Sequence, residues 1–259
     1  MKMEIEDPQQ IIKILQSYIS KKNLEGYYPL AKNEFRVSSV SKCPRQLWLE
    51  KILGQPANIK SLEGLGRVTT GRLIHEFLES ALENESFLVA SEKKVEYQYN
   101  FPLDVEMEEA GADPFIRIIG HFDLLIHAGG DLCVVDIKST GQYAWKYVQN
   151  GMKQHHAIQA NTYAAILGVP AYAILYVNKD TLEMKMFIHE TNRSQFFATV
   201  DRLTLVYHHV MLRKPLDERG ADWECKYCPF QEECAVADDI DRLLPPGVEM
   251  PDREFEFDD

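Results

Sequence analysis

Residues 116–139 read IRIIGHFDLLIHAGGDLCVVDIKS. Two apolar segments, 116–128 and 132–139, meet at Gly129-Gly130. Adjacent glycines accept the positive φ that tight strand connections demand, so the run predicts a β-hairpin. Side chains alternate along a strand, which places Asp136 and Lys138 on one face of the second segment. Asp123, near the middle of the first segment, can stand beside them across the ladder. Two carboxylates and one lysine thus converge on a sheet otherwise rich in Val, Ile and Leu.

Isolated charges are costly to bury among such neighbours, and a pair of carboxylates there calls for a counter-cation. Oxygen donors suit a hard divalent ion, Mg²⁺ or Mn²⁺. The plainer alternative is a salt bridge between Asp136 and Lys138, because an isolated D-x-K is a weak signal.

Around this hairpin the pattern alternates helix and strand. Asp7-Pro8 has the form of a helix start, and Ile11, Ile12, Leu15, Tyr18 and Ile19 give that helix an apolar face explained by core packing. A second helix begins at Cys43-Pro44 and closes at Gly54. A third spans 62–84, with a buried stripe of Leu73, Ile74, Phe77, Leu78 and Leu82 and with His75 at the edge of that stripe. Taken alone, such a histidine is more often a core residue than a ligand. Residues 87–100 read as the first strand, and 101–114 as a solvated loop. Helices follow over 143–150 and 153–167, and on the latter Gln159 and Tyr163 share a face at i and i+4. His155 and His156 read as exposed helix residues. A hairpin over 171–177 and 183–189 and a helix over 194–212 complete an α/β fold, a mixed sheet with helices on its faces.

The C-terminal region holds Cys225, Cys228 and Cys234 as C-x₂-C-x₅-C. Three closely spaced thiols need a fourth ligand for a Cys₄ site, holding either zinc or a [4Fe–4S] cluster. Cys133 sits in the hairpin three residues from Asp136, on the opposite face, and reads as core. Cys43 remains, at a helix start where free amides favour a thiolate.

Gly120-x-x-Asp123, a turn and Asp136-x-Lys138 resemble the catalytic core of the PD-(D/E)XK nucleases. Gln159-x-x-x-Tyr163 is similar to a motif of their RecB-like branch, and Gly71-Arg72-Leu73-Ile74-His75-Glu76 to that branch's helix with a metal-ligand histidine. One distant cysteine plus C-x₂-C-x₅-C resembles the iron–sulfur subset, which includes the CRISPR-associated adaptation exonucleases and their phage relatives. The resemblance runs from Val37 to Cys234. It departs at Asp136, where Glu is frequent in that subset.

Several expectations come with the resemblance. The fold is a restriction-endonuclease-like core with an iron–sulfur module joining the N- and C-terminal regions. Asp123, Asp136, His75 and the Ile137 carbonyl hold Mg²⁺ or Mn²⁺, and Lys138 assists the water. Gln159 and Tyr163 position the strand. Cys43, Cys225, Cys228 and Cys234 hold a [4Fe–4S] cluster. Arg45, Arg72, Lys146, Lys153 and Tyr163 contact DNA. The implied activity is trimming of single-stranded DNA ends, and the rival is an end-binding adaptor within a larger DNA-processing complex.

Charge does not contradict this. The net charge is −12 over 259 residues, but 237–259 carries nine acids against two arginines and 101–114 carries five acids and no base. The rest is balanced, so a basic groove is compatible with the total. No apolar run approaches the roughly 20 residues of a membrane span, and the polar start MKMEIEDPQQ has no signal-peptide pattern, which predicts a soluble cytoplasmic protein. Five cysteines in a reducing compartment favour ligation over disulfides. Residues 1–236 form one domain, with its core over 62–214 and the cysteine module over 223–234. Residues 237–259 form an acidic tail in which Phe255 and Phe257 alternate with carboxylates, either a solubilising segment or one that docks on a basic partner or on the chain's own groove.

Overall fold

The Gly129-Gly130 pair does close a hairpin: both glycines have positive φ, 62° and 96°, between a strand Phe115–Ala128 and a strand Asp131–Thr140. The structure is a computed structural model that describes residues 8–25, 30–54, 62–148, 150–239 and 243. The expectations resting on Asp7, on the side chain of Ile11 and on the tail from 240 onward (Leu243 apart) lie outside the described residues.

The strands are β1 (Glu34–Arg36), β2 (Leu88–Asn100), β3 (Phe115–Ala128), β4 (Asp131–Thr140), β5 (Ala171–Asn178) and β6 (Met184–Glu190). The helices are α1 (Pro8–Glu25), α2 (Pro44–Leu53), α3 (Leu62–Leu82), α4 (Val105–Glu109), α5 (Gln142–Val148), α6 (Gln154–Leu167), α7 (Arg193–Met211), α8 (Asp222–Lys226) and α9 (Gln231–Val236). The sheet is mixed and runs β1-β3-β4-β5-β6, with β2 along the other edge of β3. Strand β3 is its pivot. Along one edge it pairs antiparallel with β2 over nearly its whole length. Its other edge is shared, by β1 in parallel at Arg117–Ile119 and by β4 in antiparallel from Leu124 onward. Residues 120–123 therefore face an opening between β1 and β4. Beyond Val135, β4 leaves β3 and continues in parallel with β5 to Thr140. The sheet forks at this point.

Two cores flank the fork. The larger includes Val134, Phe122, Ile174 and Tyr176 of the sheet, with Trp48 and Leu49 of α2, Tyr163 of α6 and Leu203 and Val206 of α7. The smaller gathers Cys133, Val135, Ile137 and Leu124 against Leu78 of α3. Period-two alternation along β4 explains the division, and Cys133 is core as its position implied.

The sequence reading of the elements and their packing needs four corrections. Strand β1 precedes the expected first strand; three residues are too few to show an alternation. Core packing does not explain α1, because Ile12, Leu15 and Tyr18 are exposed and the helix lies against α3. The stripe of α3 is narrower than expected: Leu78 is buried, Ile74 and Leu82 pack partly against the smaller core, and Leu73 and Phe77 face outward. Finally, 101–114 is docked. It contains α4, capped by the Asp104 side chain; Met107 is buried, and the Tyr207 hydroxyl accepts a hydrogen bond from the Asp113 amide.

Candidate active site at the sheet fork

The fork frees a backbone amide that a regular ladder would use. Beyond the last β3–β4 pair, Leu124↔Val135, the amide of Ile137 donates to the Asp123 carboxylate at 2.5 Å. Asp123 is thus fixed by β4 itself. Asp136 follows the ladder on the opposite strand and is almost fully buried. Lys138, on the same face, places its Nζ 2.8 Å from Asp136 Oδ2. This is the anticipated ion pair, but its alignment is poor and leaves Oδ2 without a well-formed hydrogen bond.

Burial pushes the Asp136 carboxyl up to about 6, against the opposing pull of Lys138 and with a further push from Asp123. Burial likewise raises Asp123 to about 6, with Lys138 and the Ile137 amide restraining it. The two acids lack sufficient positive charge among the protein's own groups.

Helix α3 approaches the fork from the side of the smaller core. His75 Nδ1 lies 3.6 Å from Asp123 Oδ2, and the ring hydrogen-bonds the backbone of Ile137. Burial, then Lys138, lowers the imidazole pKa and keeps it neutral, the form that ligates metals. One turn further, Glu79 faces the same space. From β2 comes Glu92, flanked by the pairs Ser91↔Leu124 and Lys93↔Phe122 and so opposite Asp123. Its φ is 48°, a left-handed conformation uncommon for a non-glycine residue inside a strand. His75, Glu79 and Glu92 each offer a ligand atom, all within 4.8 Å of one another. Burial raises Glu79 to about 7, helped by Glu92 and Asp123, and its Oε1 has no hydrogen-bond partner. Sequence reasoning missed both glutamates. Glu79 had a signal, being four residues from His75 and therefore on its face; Glu92 had none within the run SEKK.

Helix α6 approaches from the other side. Tyr163 is buried, hydrogen-bonded to Gln159, and senses Asp136 and Asp123; burial pushes its phenol well above the ordinary range. Gly120 makes this possible. A Cβ there would lie 2.8 Å from the Tyr163 hydroxyl and 3.1 Å from the Val37 Cβ. His156 is half-buried rather than exposed as expected: its Nδ1 is 2.8 Å from the Tyr176 hydroxyl, and burial lowers its pKa.

The residues expected to meet DNA divide. Arg72 lines the pocket beside His75 and pairs with Glu76 at 3.4 Å. Lys146 and Lys153 are exposed. Arg45 is not a phosphate contact. Its guanidinium is buried and donates to the carbonyls of Leu216 and Cys234 and to the Asp238 carboxylate, at 2.9, 3.2 and 2.6 Å. It pins α2 to the C-terminal segment, whose Ala237 is also buried.

Near that pin the structure gathers the four cysteines. Cys43 caps α2, and its sulfur accepts from the Gly220 amide at 3.0 Å, while Cys225 Sγ contacts the Gly220 carbonyl. Cys228 lies within electrostatic reach of Cys43, Cys225 and Cys234, and burial raises its thiol. Among the described residues no three of these sulfurs lie within 4.8 Å of one another.

Residues 83–235, more than half of the chain and including β2, β3, β4 and the D-x-K segment, match the model of one enzyme superfamily. The chain belongs to the PD-(D/E)XK nuclease superfamily. The fold of this nuclease is similar to that of SSO0001, whose crystal structure aligns with a TM-score of 0.61 at 20% identity over 88% of this chain and 97% of that one. Weaker likenesses are to an alkaline exonuclease, LHK-Exo, from Laribacter hongkongensis (TM-score 0.46, 10% identity, 78% of this chain and 94% of that one) and to a phage-related exonuclease from Haemophilus somnus 129PT (TM-score 0.43, 11% identity, 74% and 97%). No curated protein matches the sequence. Among the described residues, no helix is long and apolar enough to cross a membrane.

Proposed function

We propose that the protein is a metal-dependent deoxyribonuclease that shortens single-stranded DNA ends. The observation that carries this reading is the fork itself: two buried carboxylates raised to about 6, a neutral imidazole and a lysine converge where the sheet opens. The donors fit Mg²⁺ or Mn²⁺. They are oxygens and one imidazole nitrogen, and two buried oxygens, Asp136 Oδ2 and Glu79 Oε1, lack hydrogen-bond partners. Asp123, Asp136, His75 and the Ile137 carbonyl would hold one ion; Glu79 and Glu92, with His75, offer donors for a second.

A divalent ion bound there supplies Lewis acidity and a water of lowered pKa. Lys138 holds positive charge beside Asp136, where it orients that water and offsets charge gathering on the phosphate. Asp123, fixed by the Ile137 amide, needs little rearrangement to stay in place. Tyr163, held by Gln159 and raised in pKa, keeps its proton and donates a hydrogen bond to the strand rather than acting as a base.

The four cysteines are proposed to hold a [4Fe–4S] cluster. Such a cluster would clip α2 to the C-terminal module, as Arg45 already does.

The test uses end-labelled single strands and blunt duplexes with Mg²⁺, Mn²⁺ or EDTA. Progressive shortening of the single strand with metal, and none with EDTA, is expected. Intact DNA with either metal would refute the nuclease reading and favour a DNA-end adaptor.

A further inference from the structure

Helix α5 has a buried side and an exposed side, and the exposed side is unusual. Trp145 and Val148 anchor it in the larger core. Facing outward are Tyr143 and Tyr147, 75% and 52% exposed, four residues apart and therefore adjacent. Their ring centroids are 6.1 Å apart, edge to face. The Lys146 Nζ lies over both rings, 4.2 Å from one centroid and 5.0 Å from the other. A third exposed ring, Tyr227 of the cysteine module, lies within electrostatic reach of Tyr143, with the Lys226 Nζ 5.8 Å from its own centroid.

Scattered exposed aromatics need no explanation, but three tyrosines interleaved with two lysines form a patch of one chemistry. The rings offer flat faces, and the ammonium groups offer charge at their edges. Bases stacked on aromatic side chains with the backbone threading past lysines is how single strands are held without sequence preference. A duplex keeps its bases stacked internally and has no free faces to offer. A protein partner would have to cover both lysines, whereas phosphates neutralise them.

The patch also lies near the fork. Tyr143 is five residues beyond Lys138, which limits their separation to about 18 Å of extended chain. His155, at the start of α6, lies within electrostatic reach of Lys153, of Lys138 in the active site and of Glu224 in the cysteine module. We infer that Tyr143, Tyr147 and Tyr227, with Lys146 and Lys226, form a stacking platform for single-stranded DNA that feeds the fork. This rests on the nuclease reading for its purpose, though not for its binding.

The test is binding in EDTA, where no cutting occurs, with the full chain and a single-stranded oligonucleotide bearing 2-aminopurine near its end. Wild-type protein should bind the strand and quench the fluorophore by stacking. Tyr143→Ala combined with Tyr147→Ala should weaken binding roughly tenfold or more and abolish the quench, consistent with stacking losses per base. Tyr143→Phe with Tyr147→Phe should keep both signals, because rings rather than hydroxyls act. Lys146→Ala should lower the salt dependence by about one phosphate contact. Unchanged affinity and quench in the double alanine variant would overturn the platform, as would equal losses in the phenylalanine variant. Wild-type protein that quenches but never cuts with Mg²⁺ or Mn²⁺ would sink the nuclease reading and leave the platform standing.

Discussion

Replacing Asp136 with Asn removes one charge and keeps the shape, so it separates a metal ligand from a structural ion pair. Raising the buried Asp136 from 3.8 to about 6 is roughly two pKa units, or at most about 3 kcal/mol spent on keeping the charge at pH 8 without a cation. The sign follows from the direction of the shift. A carboxyl with a folded pKa above its unfolded value costs nothing below about pH 4, costs progressively more between about 4 and 6, and carries its full cost above that. Asn escapes this cost but leaves Lys138 without its partner; that lysine is 21% exposed and can be hydrated. In EDTA at pH 8, Asp136→Asn should therefore be as stable as wild type or more stable, by up to about 3 kcal/mol. The gap should narrow as the pH falls from 8 to 5. Mn²⁺ at about a hundred times its Kd should add about 2.7 kcal/mol to wild type, a rise of roughly 5–10 °C in Tm, and almost nothing to the variant. Thermal denaturation with and without Mn²⁺ measures all of this. A variant destabilised by several kcal/mol in EDTA, yet raised by Mn²⁺ as much as wild type, would show that Asp136 serves the Lys138 bridge and not a metal.

Lys138→Ala should keep the Mn²⁺-dependent rise in Tm while losing cleavage; loss of both would make Lys138 part of the metal site's scaffold. Gly120→Ala forces a Cβ to 2.8 Å from the Tyr163 hydroxyl, an overpacking worth about 1–3 kcal/mol; denaturant unfolding should show it, cleavage should fall, and an unaffected variant would free Tyr163 from the site. Arg45→Ala should destabilise by about 1–3 kcal/mol, because the carbonyls of Leu216 and Cys234 lose their buried donor, without altering DNA affinity per folded molecule. Anaerobic protein should contain about four irons per chain; Cys43→Ser should lose them and Cys133→Ser should not, whereas one zinc per chain in wild type would replace the cluster with a simpler staple.

The catalytic hairpin was legible in the sequence because its signals are local. Gly129-Gly130 fixes the turn, alternation fixes which side Asp136 and Lys138 share, and the helical period joins Gln159 to Tyr163. What the sequence does not carry is the fork. Nothing in IRIIGHFD says that β1 and β4 divide one edge of β3, so the gap that exposes Asp123 and frees the Ile137 amide depends on pairings distant in the chain. Glu92 was hidden for the same reason, since its place follows from the β2–β3 register and from its left-handed backbone. Arg45 misled because an arginine near a helix start reads as a phosphate contact or a surface charge, and only the packing of the C-terminal segment buries it. The exposed faces of α1 and α3 show the converse: apolar periodicity reports that a face can be buried, not that it is.

The nuclease site is tested most directly by a time course of an end-labelled single strand in Mn²⁺, with wild type and Asp123→Ala side by side at matched DNA occupancy. The fork predicts shortening products from wild type, none from the variant and none from either in EDTA. Equal cleavage by Asp123→Ala would place the chemistry elsewhere.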